Sequence, residues 1–261
     1  MGKIDLRLGD CLEVMKTIES GSIDAIITDP PYGTTACKWD SVIDFELMWE
    51  QLNRIIKPNV AIVLFGSEPF SSALRMSNIK NYKYDWVWAK NRPTNFAHAK
   101  NKPMKKHENI LVFSNGTTVH KTQSKNRMPY FPQGLIDITP KKGTKKINEK
   151  TDTFFQDRKS HKEFTRKQTN FPNTILEFST DNLGIHPTSK PILLMEYLIK
   201  TYTNENETVL DFTMGSGSTG VAAKNLNRNF IGIEQDDKYF EIAKQRINEQ
   251  VTQKELWEKK K

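Results

Sequence analysis

The chain has 261 residues, a mass of 30.2 kDa, a mean hydropathy of −0.64 and a formal net charge of +8. That length suits one large α/β domain, or one domain carrying a long insertion, and it is enough to bury a sizeable core. Apolar runs such as residues 60–65 fall far short of the roughly 18 residues a membrane span needs, so a membrane protein is excluded, and the first residues lack the apolar stretch of a secretory leader, so a cytoplasmic location is expected.

In chain order, residues 24–28 read as a short apolar strand ending at Asp29-Pro30-Pro31-Tyr32, where two prolines withdraw ladder donors and force an extended loop. The spacing of Phe45, Met48, Trp49, Leu52, Ile55 and Ile56 predicts a helix over 45–56, stopped by Pro58-Asn59 before a strand over 60–65. Residues 84–88 and 109–113 are two further strands. Trp86, Trp88 and Lys90-Asn91 follow from the first of these and could either wall a pocket or fill the core. Beyond a long irregular stretch come a helix over 191–202, a strand over 208–212, a glycine loop, a helix over 219–226 and a strand over 229–234. A final helix is predicted from 239 to about 257. The alternation predicts an α/β fold with a doubly wound, mostly parallel sheet.

Two cysteines, Cys11 and Cys37, cannot build a disulfide framework or a cysteine-rich zinc site, and the five histidines fall into no close metal-ligand spacing. No metal is expected. The charge is unevenly placed. Residues 98–170 hold 17 Lys or Arg against 6 Asp or Glu, which is the whole positive excess of the chain. Aromatic residues (Tyr130, Phe131, Phe154, Phe155, Phe164) lie among these cations. Two readings stand: a solvated excursion, or a nucleic-acid surface in which rings stack on bases and cations pair with phosphates.

Gly215-Ser216-Gly217-Ser218-Thr219-Gly220 follows a strand and opens a helix, with Glu234 at the end of the next strand. Such glycines permit a tight turn with close backbone approach, and the carboxylate can accept ribose hydroxyls of an adenosine-containing cofactor. Nicotinamide, flavin and S-adenosylmethionine proteins share this pattern. A phosphate-binding P-loop does not fit, because Val221 stands where a lysine is required. Only 41 residues follow Gly220, so the N-terminal part must complete the sheet. The order is therefore read as permuted, with the glycine-loop strand beside the strand that carries Asp29-Pro30-Pro31-Tyr32.

Leu8-Gly-Asp-Cys11, Asp29-Pro-Pro-Tyr32, His186-Pro-Thr-Ser-Lys-Pro191 and Leu210-Asp-Phe-Thr-Met-Gly-Ser-Gly-Ser-Thr219, in this order, resemble the permuted, β-type amino-group DNA methyltransferases that use S-adenosylmethionine. The resemblance spans most of the chain. Phe212-Thr213 replaces the usual Pro-Phe pair before the glycines. The family's fold is a Rossmann-like methyltransferase sheet with an inserted target-recognition region. Divided accordingly, residues 1–114 form the target-base half, 115–172 the basic insertion and 173–261 the cofactor half.

The resemblance implies that Asp211, Phe212 and the loop Gly215, Ser216, Gly217, Ser218 and Thr219 hold the methionine moiety, and that Glu234 holds the ribose. Asp10 with Cys11 would meet the adenine ring, and Thr188, Ser189 and Lys190 the methionine carboxylate side. Asp10 reads equally as the N-cap of a helix starting near Cys11. Lys141, Lys142, Lys145 and Lys146 of the insertion are expected to contact double-stranded DNA. A homodimer, a cognate restriction endonuclease and a bacterial or phage origin are further implications of the same resemblance.

The chemistry of Asp29, Pro30, Pro31 and Tyr32 fits that assignment. An exocyclic base amine is a poor nucleophile because its lone pair is delocalised, so its N–H groups need acceptors that favour a pyramidal nitrogen. The Asp29 carboxylate and the Pro30 carbonyl, fixed in direction by Pro31, are two such acceptors, and Tyr32 offers a stacking face for an extruded base. No covalent enzyme intermediate is required. Methylation at C5 of cytosine needs a nucleophilic cysteine within a Pro-Cys pair, which neither Cys11 nor Cys37 provides. The acceptor chemistry serves both adenine N6 and cytosine N4, and the resemblance implies adenine N6, because in that family an Asp-first loop goes with adenine and a Ser-first loop with cytosine. A nicotinamide-linked oxidoreductase and a non-catalytic DNA-binding module are the competing classes.

Overall fold

The computed structural model describes residues 2–34, 40–119, 125–143, 164–180 and 189–249. Cys37, Lys145, Lys146, Phe154, Phe155, His186, Thr188 and the expected extension of the last helix to 257 lie outside the described residues. The chain divides into two compact units, Met1–Phe131 with Thr174–Lys261, and Pro132–Asn173.

The first unit is built on an eight-stranded mixed sheet. Its strands are β1 (Ile4–Leu8), β2 (Ile23–Thr28), β3 (Ile56–Gly66), β4 (Tyr82–Thr94), β5 (Lys105–Phe113), β8 (Ile175–Glu177), β9 (Thr208–Asp211) and β10 (Asn229–Glu234). They lie in the order β1-β10-β9-β2-β3-β5-β4-β8. The five strands from β1 to β3 run parallel, β5 is antiparallel to β3, and β4 is antiparallel to β5.

Among the described residues six helices flank the sheet: α1 (Cys11–Met15), α2 (Phe45–Ile55), α3 (Phe70–Ser77), α4 (Ile192–Tyr202), α5 (Ser218–Asn225) and α6 (Asp237–Asn248). Successive strand side chains point to opposite faces and both faces are covered, which is why residues 25–27 of β2 and 60–65 of β3 are apolar without interruption. Ala25, Ile27, Ala61, Val63 and Phe65 join one core cluster with α4, α5 and α6. Ile26, Ile62 and Leu64 join the other, with α1, α2 and α3. No helix among the described residues is long and apolar enough to cross a membrane.

The glycine-loop strand lies beside the strand of the Asp29 loop as expected, with Ala25 opposite Val209 and Ile26 opposite Leu210. Pro58-Asn59 does not act as the expected stop. Helix α2 ends at Ile55 and β3 already begins at Ile56, so this pair lies inside the strand. The register jumps from Ile23–Ile56 to Ala25–Ala61, and Asn59 takes a φ of 64°, which marks a bulge around a residue without an amide donor. The second unit contains β6 (Ile136–Gly143) and β7 (Phe164–Thr169), paired antiparallel.

Candidate active site

Ligand clefts of open α/β sheets form at the carboxyl ends of the strands. Here the ends of β2, β9 and β10 open on a cleft of about 1150 Å³ lined by Asp10, Cys11, Asp29, Pro30, Pro31 and Tyr32, by Ser189 and Lys190, and by Asp211, Phe212, Gly215, Ser216, Ser218, Thr219 and Glu234. Every expected cofactor or target-base residue among the described ones lines this cleft except Gly217, the N-cap of α5, which packs close to Ala243.

Hydrogen bonds join the two loops directly. Thr28, the last residue of β2, donates its hydroxyl to Asp211 Oδ1 at 2.6 Å and lies 2.7 Å from the Thr213 hydroxyl, which in turn contacts the Asp29 carbonyl at 3.1 Å. Asp211 also accepts from Thr219 Oγ1 at 2.5 Å and from the Thr213 amide at 3.2 Å. This carboxyl is buried, and desolvation pushes its pKa up to about 6 despite those donors.

Two glycines give the loop its course. Gly215 and Gly217 have φ of 52° and 81°, the left-handed region that side chains resist, and a Cβ on Gly217 would stand 2.9 Å from the Cβ of Ala243. Glu234 accepts from the amides of Gly215, Gln235 and Asp236, each at 2.9 Å. Burial still raises its pKa. Asp10 is the N-cap of α1, accepting from Leu12 and Glu13 at 2.9 and 3.2 Å, and it lines the cleft as well. Cys11 is buried, and desolvation holds its thiol up at about 12. Ser189 and Ser218 meet hydroxyl to hydroxyl at 3.1 Å.

At the Asp29 end, the Tyr32 hydroxyl donates to Asp29 Oδ1 at 2.5 Å, and its ring stacks on Phe70 with centroids 5.0 Å apart. Asp40 shapes the loop that follows, accepting from the amides of Gly33 at 2.9 Å and Thr34 at 2.8 Å. The Lys190 ammonium donates to Asp29 Oδ2 and lies 3.5 Å from Glu108, a second carboxylate that Lys90 also pairs with. Burial opposes the Lys190 charge, but Asp29 and Glu108 outweigh it and raise its pKa. Burial likewise opposes ionised Glu108, whose two lysines outweigh it and lower its pKa, whereas Asp29 is raised by its own burial.

Sequence reasoning missed Thr28, Thr213, Asp40, Glu108 and Arg246. Arg246 of α6 is buried and donates to the carbonyl and, at 2.8 Å, to the hydroxyl of Ser216, holding the glycine loop from behind. An arginine on the apolar stripe of Ala243 and Ile247 was its available signal. Trp86 and Trp88 are core residues rather than cleft wall.

The family model described as DNA methylase, covering N6 and N4 enzymes, matches residues 23–245, a span that includes both loops. The chain belongs to the N6/N4 DNA methylase family. This methylase is similar to the type II methyltransferase M.HinfI of Haemophilus influenzae, 27% identical over 278 residues that cover 92% of this chain and 67% of the relative. Over 64 residues, 24% of either chain, it is 48% identical to the type II methyltransferase M2.DpnII of Streptococcus pneumoniae. The crystal structure of the M1.HpyAVI–SAM complex is similar with a TM-score of 0.59 at 28% identity, covering 93% of this chain and 99% of that one. The cytosine-N4-specific PvuII DNA methyltransferase shares the fold, with a TM-score of 0.66 at 15% identity and coverage of 99% and 91%.

Proposed function

We propose that this methylase transfers a methyl group from S-adenosylmethionine to the N6 amine of an adenine swung out of double-stranded DNA, releasing S-adenosylhomocysteine. The observation that carries the reading is the joining of the Asp29 loop to the glycine loop in one cleft, through Thr28, Asp211 and Thr213.

The residues fit such a cofactor. Gly215 lines the cleft without a side chain, and Glu234 uses three of about four lone-pair directions on backbone amides, which leaves room for a ribose hydroxyl. Asp211, Phe212 and the loop from Gly215 to Thr219 would hold the methionine end, with Ser189 on its carboxylate side and Asp10 and Cys11 toward the adenine. Lys190 moves out of this set. Its ammonium is engaged by Asp29 and Glu108, so we assign it to the target-base side.

When bound, the cofactor supplies an electrophilic methyl on sulfur. Everything else falls to the chain. Asp29 and the Pro30 carbonyl accept the amine hydrogens, and Asp29, with its raised pKa, takes the proton the methylated amine must lose. The Tyr32 hydroxyl fixes one carboxylate oxygen, and its ring, backed by Phe70, offers a stacking face worth about 1–3 kcal/mol, comparable with the cost of extruding a base.

For DNA contact, residues 115–172 stay our reading of the recognition region. Lys141 and Lys142 are exposed on β6, and Lys141 stands opposite Arg166, a like-charge pairing that an isolated hairpin disfavours and a polyanion relieves. Double-stranded DNA is the partner this implies and the cytoplasm the compartment. A second copy of the chain and a cognate endonuclease rest on the resemblance.

The test is incubation with labelled S-adenosylmethionine and unmethylated plasmid DNA, followed by nucleoside analysis. Label in N6-methyladenine is expected. Label in N4-methylcytosine would overturn the choice of base, and unlabelled DNA would overturn the proposal.

A further inference from the structure

Strands β4 and β5 run on past the rest of the sheet. Strand β3 pairs with β5 only as far as Asn109, and β8 pairs with β4 only as far as Ala89. Beyond those points the hairpin, residues 90–107, pairs with itself alone among the described strands, through Thr94 and Lys105. It leaves the sheet at the carboxyl end of β3, on the side of the Asp29 loop. Lys90, Asn95, His98, Lys102 and Lys105 of this arm line the same cleft as Asp29.

Three observations on the arm point the same way. It contains six Lys or Arg and two His with no Asp or Glu, a denser run of positive charge than the basic insertion that sequence reading singled out. Every residue from 91 to 103 is exposed. Its tip carries Phe96, 80% exposed, the most exposed large apolar side chain among the described residues. The tip is wound on itself, with the His98 and Ala99 amides donating to Asn95 and Phe96, the Asn101 and Lys102 amides donating to His98, and Asn95 at a φ of 70°. Phe96 is thus presented by an ordered turn, and folding gains nothing from its exposure.

We propose that this arm grips the target duplex, with its lysines and arginine on phosphates beside the extruded base and Phe96 seated on the base step that the extrusion unstacks. The inference rests on the DNA methylase reading and deepens it. Phosphate contacts position a protein without reading sequence, and an apolar wedge at an opened step replaces the stacking that base extrusion removes.

Two variants test it, each first shown to bind S-adenosylmethionine as the parent does. Lys100→Gln/Lys102→Gln/Lys106→Gln should lower the slope of log Kd against log salt for plasmid DNA by about two to three, roughly one per phosphate contact. Phe96→Ala should lower kcat/KM by about tenfold or more on an oligonucleotide duplex bearing the paired target, and by less than about threefold where the target base is mismatched and cheap to extrude. Phe96→Trp should restore the paired substrate. An unchanged salt slope, or an equal loss on paired and mismatched duplexes, overturns the arm. Failure of the parent protein to methylate DNA overturns the methylase chemistry instead, so the two failures are told apart.

Discussion

The Lys190 ammonium donates to the Asp29 carboxylate across 161 residues of sequence, closing the end of the cleft where the base amine is proposed to sit. Lys190 is buried over the Phe65 ring, 5.1 Å from its centroid, so the pair is held in low-dielectric surroundings. An opposite charge at this range lowers a carboxyl pKa, here against the upward push of burial.

Replacing Lys190 by Met removes that restraint, and the Asp29 pKa rises further. Because the proposed step uses ionised Asp29, the acid limb of the kcat/KM profile should move to higher pH. The variant should also be less stable, because the half-buried Asp29 carboxylate loses its cation. An acid limb at the parent's position contradicts the pairing.

Asp211 makes a prediction of opposite character. Its folded-state pKa of about 6 exceeds the ordinary 3.8, so the folded chain binds this proton more tightly than the unfolded one. The stability it contributes is complete below about pH 4 and is lost as pH rises through 6, a span of about 3 kcal/mol. Asp211→Asn lacks this titration. The excess unfolding free energy of the parent over the variant, measured in urea, should therefore shrink by about 2 kcal/mol between pH 4.5 and pH 7. A difference independent of pH contradicts the assignment.

Gly217 and Gly21 share positive φ, 81° and 66°, but a Cβ on Gly217 meets Ala243 at 2.9 Å, while nothing lies within 4 Å of one on Gly21. Gly21→Ala should cost the backbone strain alone, about 1–2 kcal/mol. Gly217→Ala should cost more and also weaken S-adenosylmethionine binding about tenfold, read by calorimetry. Equal melting temperatures for the two variants contradict the packing account.

Cys11 lines the cleft with its thiol held up at about 12, so it stays protonated at neutral pH. Cys11→Ala should keep kcat at saturating S-adenosylmethionine within about threefold, whatever it does to cofactor affinity, since the amine chemistry involves no enzyme nucleophile. Loss of transfer with cofactor affinity intact would point to a cysteine mechanism.

The permuted order was legible because the glycine loop follows, in the chain, the strand that carries the Asp29 loop, and the two strands pair side by side in the fold. Asp29, Tyr32, Asp211 and Glu234 were legible because each sits in or beside a strand end with loop-forming neighbours. Thr28, Thr213 and Glu108 were not. A threonine in a strand and a glutamate within a lysine-rich hairpin look like ordinary strand and surface residues until pairing brings distant segments together, and Glu108 meets Lys190 only in the fold. The arm was hidden for a related reason. Residues 90–107 lack apolar periodicity, so their hairpin emerges from the register that β4 and β5 establish at their buried ends.

The central claim is that Asp29 accepts the reacting amine while the glycine loop, reached from the far part of the chain, holds the methyl donor. Transfer of labelled methyl to DNA by Asp29→Ala at saturating S-adenosylmethionine tests it most directly, alongside a calorimetric Kd for the cofactor. The account predicts a fall in kcat of about 10²–10³-fold, the scale of losing one aligned transition-state partner, with the Kd unchanged. Transfer at the parent's rate, or a loss explained entirely by weaker cofactor binding, would contradict it.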